Sequence, residues 1–294
     1  MSLIFIEGFD HYSTLNQKWT TVLTGSIGAT GARTGSNGYY AGGGNESTNN
    51  GIYKIVAASD EHATFILGAY INHGACFQFA SDNQATRHVW IHFKTDQTIQ
   101  VNRGNYNGTS LGLSGVVLPP NGTAFYAEMK VVLNSSTGSV TIHANGVQVY
   151  QLTGINTKNG GTKTTFDTIQ LMPNNTGLDD VYVCNGAGSV NNDFLGDVKV
   201  ETLSLIGAGT TTQLTPSTGS NYQCVDETPP NTTDYNGSAT DDQYDTYAMG
   251  NLATSAGTVC GVAVRVYAAK SDAGAAGGAI VLRSGGTDYE RTDN

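Results

Sequence analysis

The chain has 294 residues, long enough for one large β-domain or two smaller ones, and 38 of them are glycine against 6 prolines. Only 13% of residues are charged and the formal net charge is −10, which speaks against nucleic acid as a partner, since that partner wants a basic patch or stripe. Hydrophobic residues make up 38% of the chain and alternate regularly, which excludes disorder, and no segment approaches the length of a membrane span.

No stretch repeats apolar residues at i, i+3, i+4 and i+7, so short strands joined by Gly, Asn, Ser and Thr turns predict an all-β protein. Residues 3–9 read as the first strand, with Trp19 beyond it plugging one end of the fold. The opening MSLIFIEGFD has no basic n-region and its apolar run stops at Ile6, so the expectation is synthesis in a cytoplasm without secretion. Residues 25–44 are glycine-rich but lack the Gly-Lys-Ser/Thr ending of a phosphate-binding loop, and read as a connection between strands. Strands follow at 52–57 and 63–71, the second with Phe65, Leu67, Ala69 and Ile71 on one face.

Residues 76–80 and 87–94 come next. In the latter, Val89, Ile91 and Phe93 face one way, and His88, Trp90, His92 and Lys94 face the other. That second row is the candidate ligand or interface face. One reading makes Trp90 a sugar platform flanked by polar groups. The other, which we prefer, packs it under a loop or against a subunit. His88 and His92 cannot share a metal, because four strand residues separate them by roughly 13 Å.

After a strand at 99–102, residues 125–133 alternate, with Phe125, Ala127, Met129 and Val131 on one side and Tyr126, Glu128 and Lys130 on the other. Val140 and Ile142 continue the apolar face, and Asn145-Gly146 closes a tight hairpin, since both central positions of that turn need positive φ. Strands are expected at 165–172 and 179–184, then a further alternating strand at 197–205 as a hinge, and a Thr/Ser-rich linker at 210–219. The last part should hold strands at 244–249, 259–269 and 279–282, with none to close the sheet before the chain reaches Asn294. Four widely spaced cysteines, Cys76, Cys184, Cys224 and Cys260, show no metal or redox spacing and read as small buried hydrophobes.

Glu7-Gly8-Phe9-Asp10, the Tyr-x-Glu-Met-Lys strand, the Asn-Gly hairpin, the Leu178-Asp179-Asp180-Val181-Tyr182-Val183 strand and the segment 188–201 together resemble the concanavalin A-like (laminin-G-like) sandwich of tailed-bacteriophage virion proteins. The resemblance implies an antiparallel jelly-roll sandwich over residues 1–200. A smaller β-rich domain over 201–294, expected to be incomplete, would then serve assembly or attachment. It implies a non-enzymatic structural protein of the virion surface, a capsid decoration or tail-fibre subunit, made in the host cytoplasm. Its partners would be other virion proteins and copies of itself, a trimer first, with a host glycan as a further ligand. The alternative is a carbohydrate-binding adhesion module, and after it a polysaccharide-degrading enzyme.

Hydrolases of this fold carry Glu-x-Asp-x-x-Glu along one strand, and no such pattern occurs here. Asp179 and Asp180 are adjacent, so a regular strand points them to opposite faces, one capping a turn and the other solvated. Asp82, Asp96 and Asp179 are the candidate oxygen ligands for calcium, and without clustering the expectation is no metal and no cofactor.

Overall fold

Period-two alternation builds two antiparallel sheets stacked face to face, an all-β jelly-roll sandwich. A computed structural model describes residues 2–42, 50–228, 230–254, 257–270 and 278–293; Gly43 and Gly44 of the glycine-rich stretch lie outside these. The first strands are β1 (Leu3–Glu7), β2 (Thr21–Val22), β3 (Ser26–Gly28), β4 (Gly38–Tyr40) and β5 (Ile52–Ile55). Next come β6 (Thr64–Ile71), β7 (Cys76–Ser81), β8 (Thr86–Phe93), β9 (Ile99–Arg103) and β10 (Thr109–Leu113). The sandwich closes with β11 (Phe125–Val132), β12 (Gly138–Ala144), β13 (Val147–Ile155), β14 (Thr168–Met172) and β15 (Gly177–Cys184). The first sheet runs β13-β12-β11-β6-β15-β4-β3, with β1 also on β15, and the second runs β10-β9-β8-β7-β14-β5-β2.

Register explains the core. Met129 lies opposite Leu67 on one side and Ile142 on the other, so three apolar side chains form one inward row across β6, β11 and β12. From the second sheet, Phe77, Phe79, Val89, Ile91 and Val101 meet them. Phe125, Met129, Val131, Val140 and Ile142, the expected core, are all buried there. Trp19 is buried as well, stacked on Phe9 and edge-on to Phe5.

The first sheet is buried on its other face too, which alternation alone does not announce. Tyr126 and Glu128 are buried, and Ile66, Tyr126, Tyr182 and Cys184 pack beneath Phe194, Leu195 and Val198. The strand expected at 197–205 is therefore corrected: residues 197–204 carry no strand pairing and form a strap across this face. Its backbone groups find side-chain partners instead. The Val200 N–H donates to Asp180 Oδ1 at 2.8 Å and the Val198 carbonyl accepts from Arg33 Nη1 at 3.0 Å. The strap also needs Gly8, where a Cβ would lie 2.8 Å from the Val200 carbonyl oxygen.

The expected linker at 210–219 is strand in large part. β16 (Leu205–Thr212), β17 (Thr215–Pro216), β18 (Asn236–Gly237) and β19 (Asp245–Met249) form two small sheets, β16 with β19 and β17 with β18. Polar bonding rather than a core holds them. Asp245 accepts from the N–H groups of Gln213 and Leu214, from Asn221 Nδ2 and from the Tyr247 hydroxyl.

The compact units of the chain are Met1–Gly257 and Thr258–Asn294. In the second, β20 (Gly278–Ser284) pairs with β21 (Thr287–Asp293) through Gly285 and Gly286, both at positive φ. The expectation that nothing follows to pair with the 279–282 strand is thus corrected. β21 was hidden because Asp-Tyr-Glu-Arg-Thr-Asp has no apolar alternation. The expected strand at 259–269 is corrected in the other direction: its valines alternate, but no strand pairs with it among the described residues. Of the cysteines, Cys76, Cys184 and Cys224 are buried, whereas Cys260 is half-buried and departs from the expectation.

Candidate functional site

The outer face of the second sheet carries an open groove. A cavity of about 350 Å3 is lined by Trp90, His92, Lys94, Gln100, Asn102, Tyr106, Gly108 and Ser110. Period two places these residues: Gln100 lies opposite His92, Asn102 opposite Trp90, and Ser110 opposite Asn102, so three neighbouring strands project polar side chains together. The loop between β9 and β10 roofs one end. Gln78 Nε2 donates to the Gly104 carbonyl at 2.9 Å and Asn102 Nδ2 to the Tyr106 carbonyl at 2.8 Å, which latches the loop to the sheet. Gly108 lets it turn this tightly, since a Cβ there would sit 2.0 Å from the Arg103 carbonyl oxygen.

The four residues expected to share one face separate. Trp90, His92 and Lys94 line the groove, but His88 does not. A β-bulge between Phe79 and Ala80 sets Ala80 opposite Arg87, so Arg87 takes the outward position and His88 turns toward the core rim. There His88 Nε2 lies 3.0 Å from Ser81 Oγ, Nδ1 accepts from the Asn159 N–H at 3.1 Å, and the ring meets Phe166 edge-on. Trp90 is only 2% exposed and packs with Cys76, Met172 and Tyr106. The packed-under-a-loop reading holds, and the ring that borders open space is Tyr106. Trp90 keeps one polar loose end, because its buried Nε1–H has no hydrogen-bond partner among the described residues.

Electrostatics in the groove are simple. Burial lowers the His92 pKa to about 4, helped by the Lys94 ammonium, so the imidazole is neutral near pH 7. Lys94 pairs with Asp96 at 2.8 Å. Sequence reasoning missed Gln100, Asn102, Tyr106 and Ser110. The signal was present in the alternate positions 100 and 102 and in Asn105-Tyr106-Asn107-Gly108, an aromatic set in a turn, but strand adjacency could not be read from it.

The carboxylates lie on the outer face of the first sheet. Asp179 and Asp180 do not diverge, which corrects the expectation of opposite faces and of one solvated carboxylate. Pairing shifts register between Asp179 and Tyr182, and Asp180 takes φ 52°, so both side chains close on residues 33 and 34. Asp179 Oδ2 accepts from the N–H groups of Arg33 and Thr34 at 2.7 and 3.0 Å. Asp180 Oδ2 accepts from Arg33 Nη1 at 3.2 Å and Thr34 Oγ1 at 2.8 Å. Burial and the Asp180 charge push Asp179 up to about 7, against three N–H donors that pull it down, and burial raises Asp180 as well. Nearby, Glu128 accepts from the Tyr182 hydroxyl and from the Gly196 N–H. Asp179, Asp180 and Glu128 are all buried beneath the strap, so this network ties the sheet to its covering segments and offers a substrate no entry.

Asp82, Asp96 and Asp179 are not brought together. Asp82 accepts from Thr86 Oγ1 and Asp96 from Lys94 and Thr98, and no group of three His, Cys, Asp or Glu side chains fit to hold a metal occurs among the described residues.

No protein-family model and no curated protein matches the chain in sequence. Among solved structures, it is similar to an endo-β-1,4-glucuronan lyase from the fungus Trichoderma reesei, at 13% identity and a TM-score of 0.39, over 63% of this chain and 96% of that one. It is also similar to the cellulose-induced protein Cip1, at 15% identity and a TM-score of 0.40, over 57% and 91%. A third is the carbohydrate-binding module CBM66 of Bacillus subtilis, at 10% identity and a TM-score of 0.31, over 56% and 89%. Likenesses this slight bear on neither ligand nor activity, which must come from the groove itself.

Proposed function

We propose that the sandwich is a carbohydrate-binding module and that the groove at Tyr106 holds the glycan. The groove's make-up carries this reading: one open aromatic ring beside imidazole, amide, hydroxyl and ammonium groups set by adjacent strands. An aromatic face suits the C–H face of a sugar ring, and fixed amides and hydroxyls suit its hydroxyl groups. At about 350 Å3 it has the size of a small-ligand site. No Asp or Glu lines it, so the groove does not supply the pair of carboxylates that glycoside hydrolysis uses, which supports binding over hydrolysis. Screening the protein on an array of bacterial surface polysaccharides tests this. Binding that falls on Tyr106→Ala supports it, and silence across the array overturns it, as does release of reducing ends by the pure protein.

A virion-surface setting is the second reading. Its support is that the two stretches carrying the phage resemblance, residues 7–10 and 188–201, meet in space where Gly8 packs on Val200. The exposed valines of residues 259–269 suit a contact with a second copy or a neighbouring particle protein. Cross-linking on particles tests it, and a protein absent from purified particles would end it.

A further inference from the structure

We propose that the cavity next to the groove, at Arg87 and Arg103, binds an acidic group on a sugar, so that the ligand is an acidic glycan. This rests on the glycan-binding reading and adds its substrate class. The second cavity, of about 370 Å3, is lined by Arg87, Arg103, Asn105, Asn107, Thr109 and Asn159 among others, and shares Gly108 with the first. The two hollows therefore adjoin at one loop and suit neighbouring subsites for a chain of sugars.

Two guanidinium groups face one cavity that no carboxylate lines. Neither has an ion-pair partner among the described residues, whereas Arg33 holds Asp180 and Asp197 and Arg283 holds Asp288. The chain has 24 acidic side chains against 14 Lys and Arg, so leaving two arginines unneutralised side by side runs against its composition. Arg87 Nε is also buried without a hydrogen-bond partner. Two carboxylates of the same region are already engaged, Asp82 by Thr86 Oγ1 and Asp167 by Lys163 Nζ at 2.8 Å. Burial lowers the Arg87 pKa, the mark of a cation held without enough counter-charge.

A guanidinium presents a planar fork of N–H donors that matches a carboxylate or sulfate in two-point contact. Asn105, Asn107 and Thr109 around it suit the remaining sugar hydroxyls. The anion could be a uronate or sialate carboxylate or a sulfate ester, which share this chemistry. Phosphate of nucleic acid would want a longer basic track than two residues.

Calorimetry with the full chain tests the proposal on acidic capsular polysaccharides, their carboxyl-reduced counterparts and sulfated polysaccharides. At least one acidic polymer should bind, and its carboxyl-reduced form roughly 10- to 100-fold more weakly, the loss expected for a charge-assisted hydrogen bond. A preference for the sulfated set instead assigns the anion as sulfate and equally supports the site. Arg103→Gln, and Arg87→Gln if it folds, should bring acidic and neutral forms to the same affinity and flatten the salt dependence. Equal binding of acidic and carboxyl-reduced forms with no sulfate preference overturns this inference while leaving a neutral-glycan module standing. No binding to any polymer overturns both.

Discussion

Asp180 and Arg33, 147 positions apart in the chain, form an ion pair in which Nη1 stands 3.2 Å from a fully buried Oδ2. The same guanidinium reaches Asp197 Oδ1 at 2.6 Å and lies over the rings of Tyr70 and Tyr126. One side chain thus joins the early loop, the central strand β15 and the strap. Arg33→Met should destabilise the protein by about 3–5 kcal/mol, because it leaves the Asp180 charge buried and unpaired. Urea unfolding measures this. Adding Asp180→Asn should recover part of the loss, and strict additivity of the two changes would sink the ion-pair account.

Asp179 and the histidines set opposing pH dependences. Asp179 is raised from 3.8 to about 7, so the folded state holds its proton more tightly than the unfolded chain. That stabilisation is present below pH 4 and lost as pH rises toward 7. His88 and His92 are lowered from 6.5 to about 4, chiefly by burial. Their contribution is present above pH 6.5 and lost as pH falls toward 4. Asp179→Asn removes the first effect and keeps the second. The difference in melting temperature between variant and parent should therefore shift in the variant's favour as pH rises from 4 to 7. A difference that stays flat across that range would show that Asp179 is not raised.

Met129 is buried between Leu67 and Ile142 in the central inward row. Met129→Ala should cost about 2–5 kcal/mol through lost burial and a residual cavity. Val147 at the start of β13 is exposed, so Val147→Ala should stay within about 0.5 kcal/mol. Chemical denaturation of both variants checks the contrast.

Val262, Val264 and Val266 are exposed, in a segment free of proline that pairs with no strand among the described residues. If a second copy covers them, replacing all three by Asp should lower the mass seen by light scattering to that of one chain and leave the melting of the sandwich unchanged. A parent protein that already scatters as a monomer at all concentrations removes the self-association reading.

The amino-acid sequence determined the sandwich because period-two burial is a local property. Phe125 to Val131, Val140 with Ile142, and Val89 to Phe93 each declare their buried side within one strand, and Asn145-Gly146 declares the hairpin, though its register shifts between Ile142 and His143. The same logic misled at 259–269 and at 197–204, where alternation is real but no strand pairs with it among the described residues. Strand pairing is a relation between distant segments, and a single stretch does not encode its partner. Of the site, alternation within one strand placed Trp90, His92 and Lys94 on a shared face, and the rest belonged to the tertiary structure. A bulge at Phe79 and Ala80 moved His88 off the face it should have shared with Trp90 and put Arg87 there, and another at Asp180 turned two carboxylates that should have diverged onto one loop. The groove exists only because β8, β9 and β10 are neighbours, which brings Gln100, Asn102 and Ser110 beside His92 and lays Tyr106 over Trp90. One-residue irregularities reverse which side a chain presents, and they arise from packing across sheets, where local pattern has no purchase.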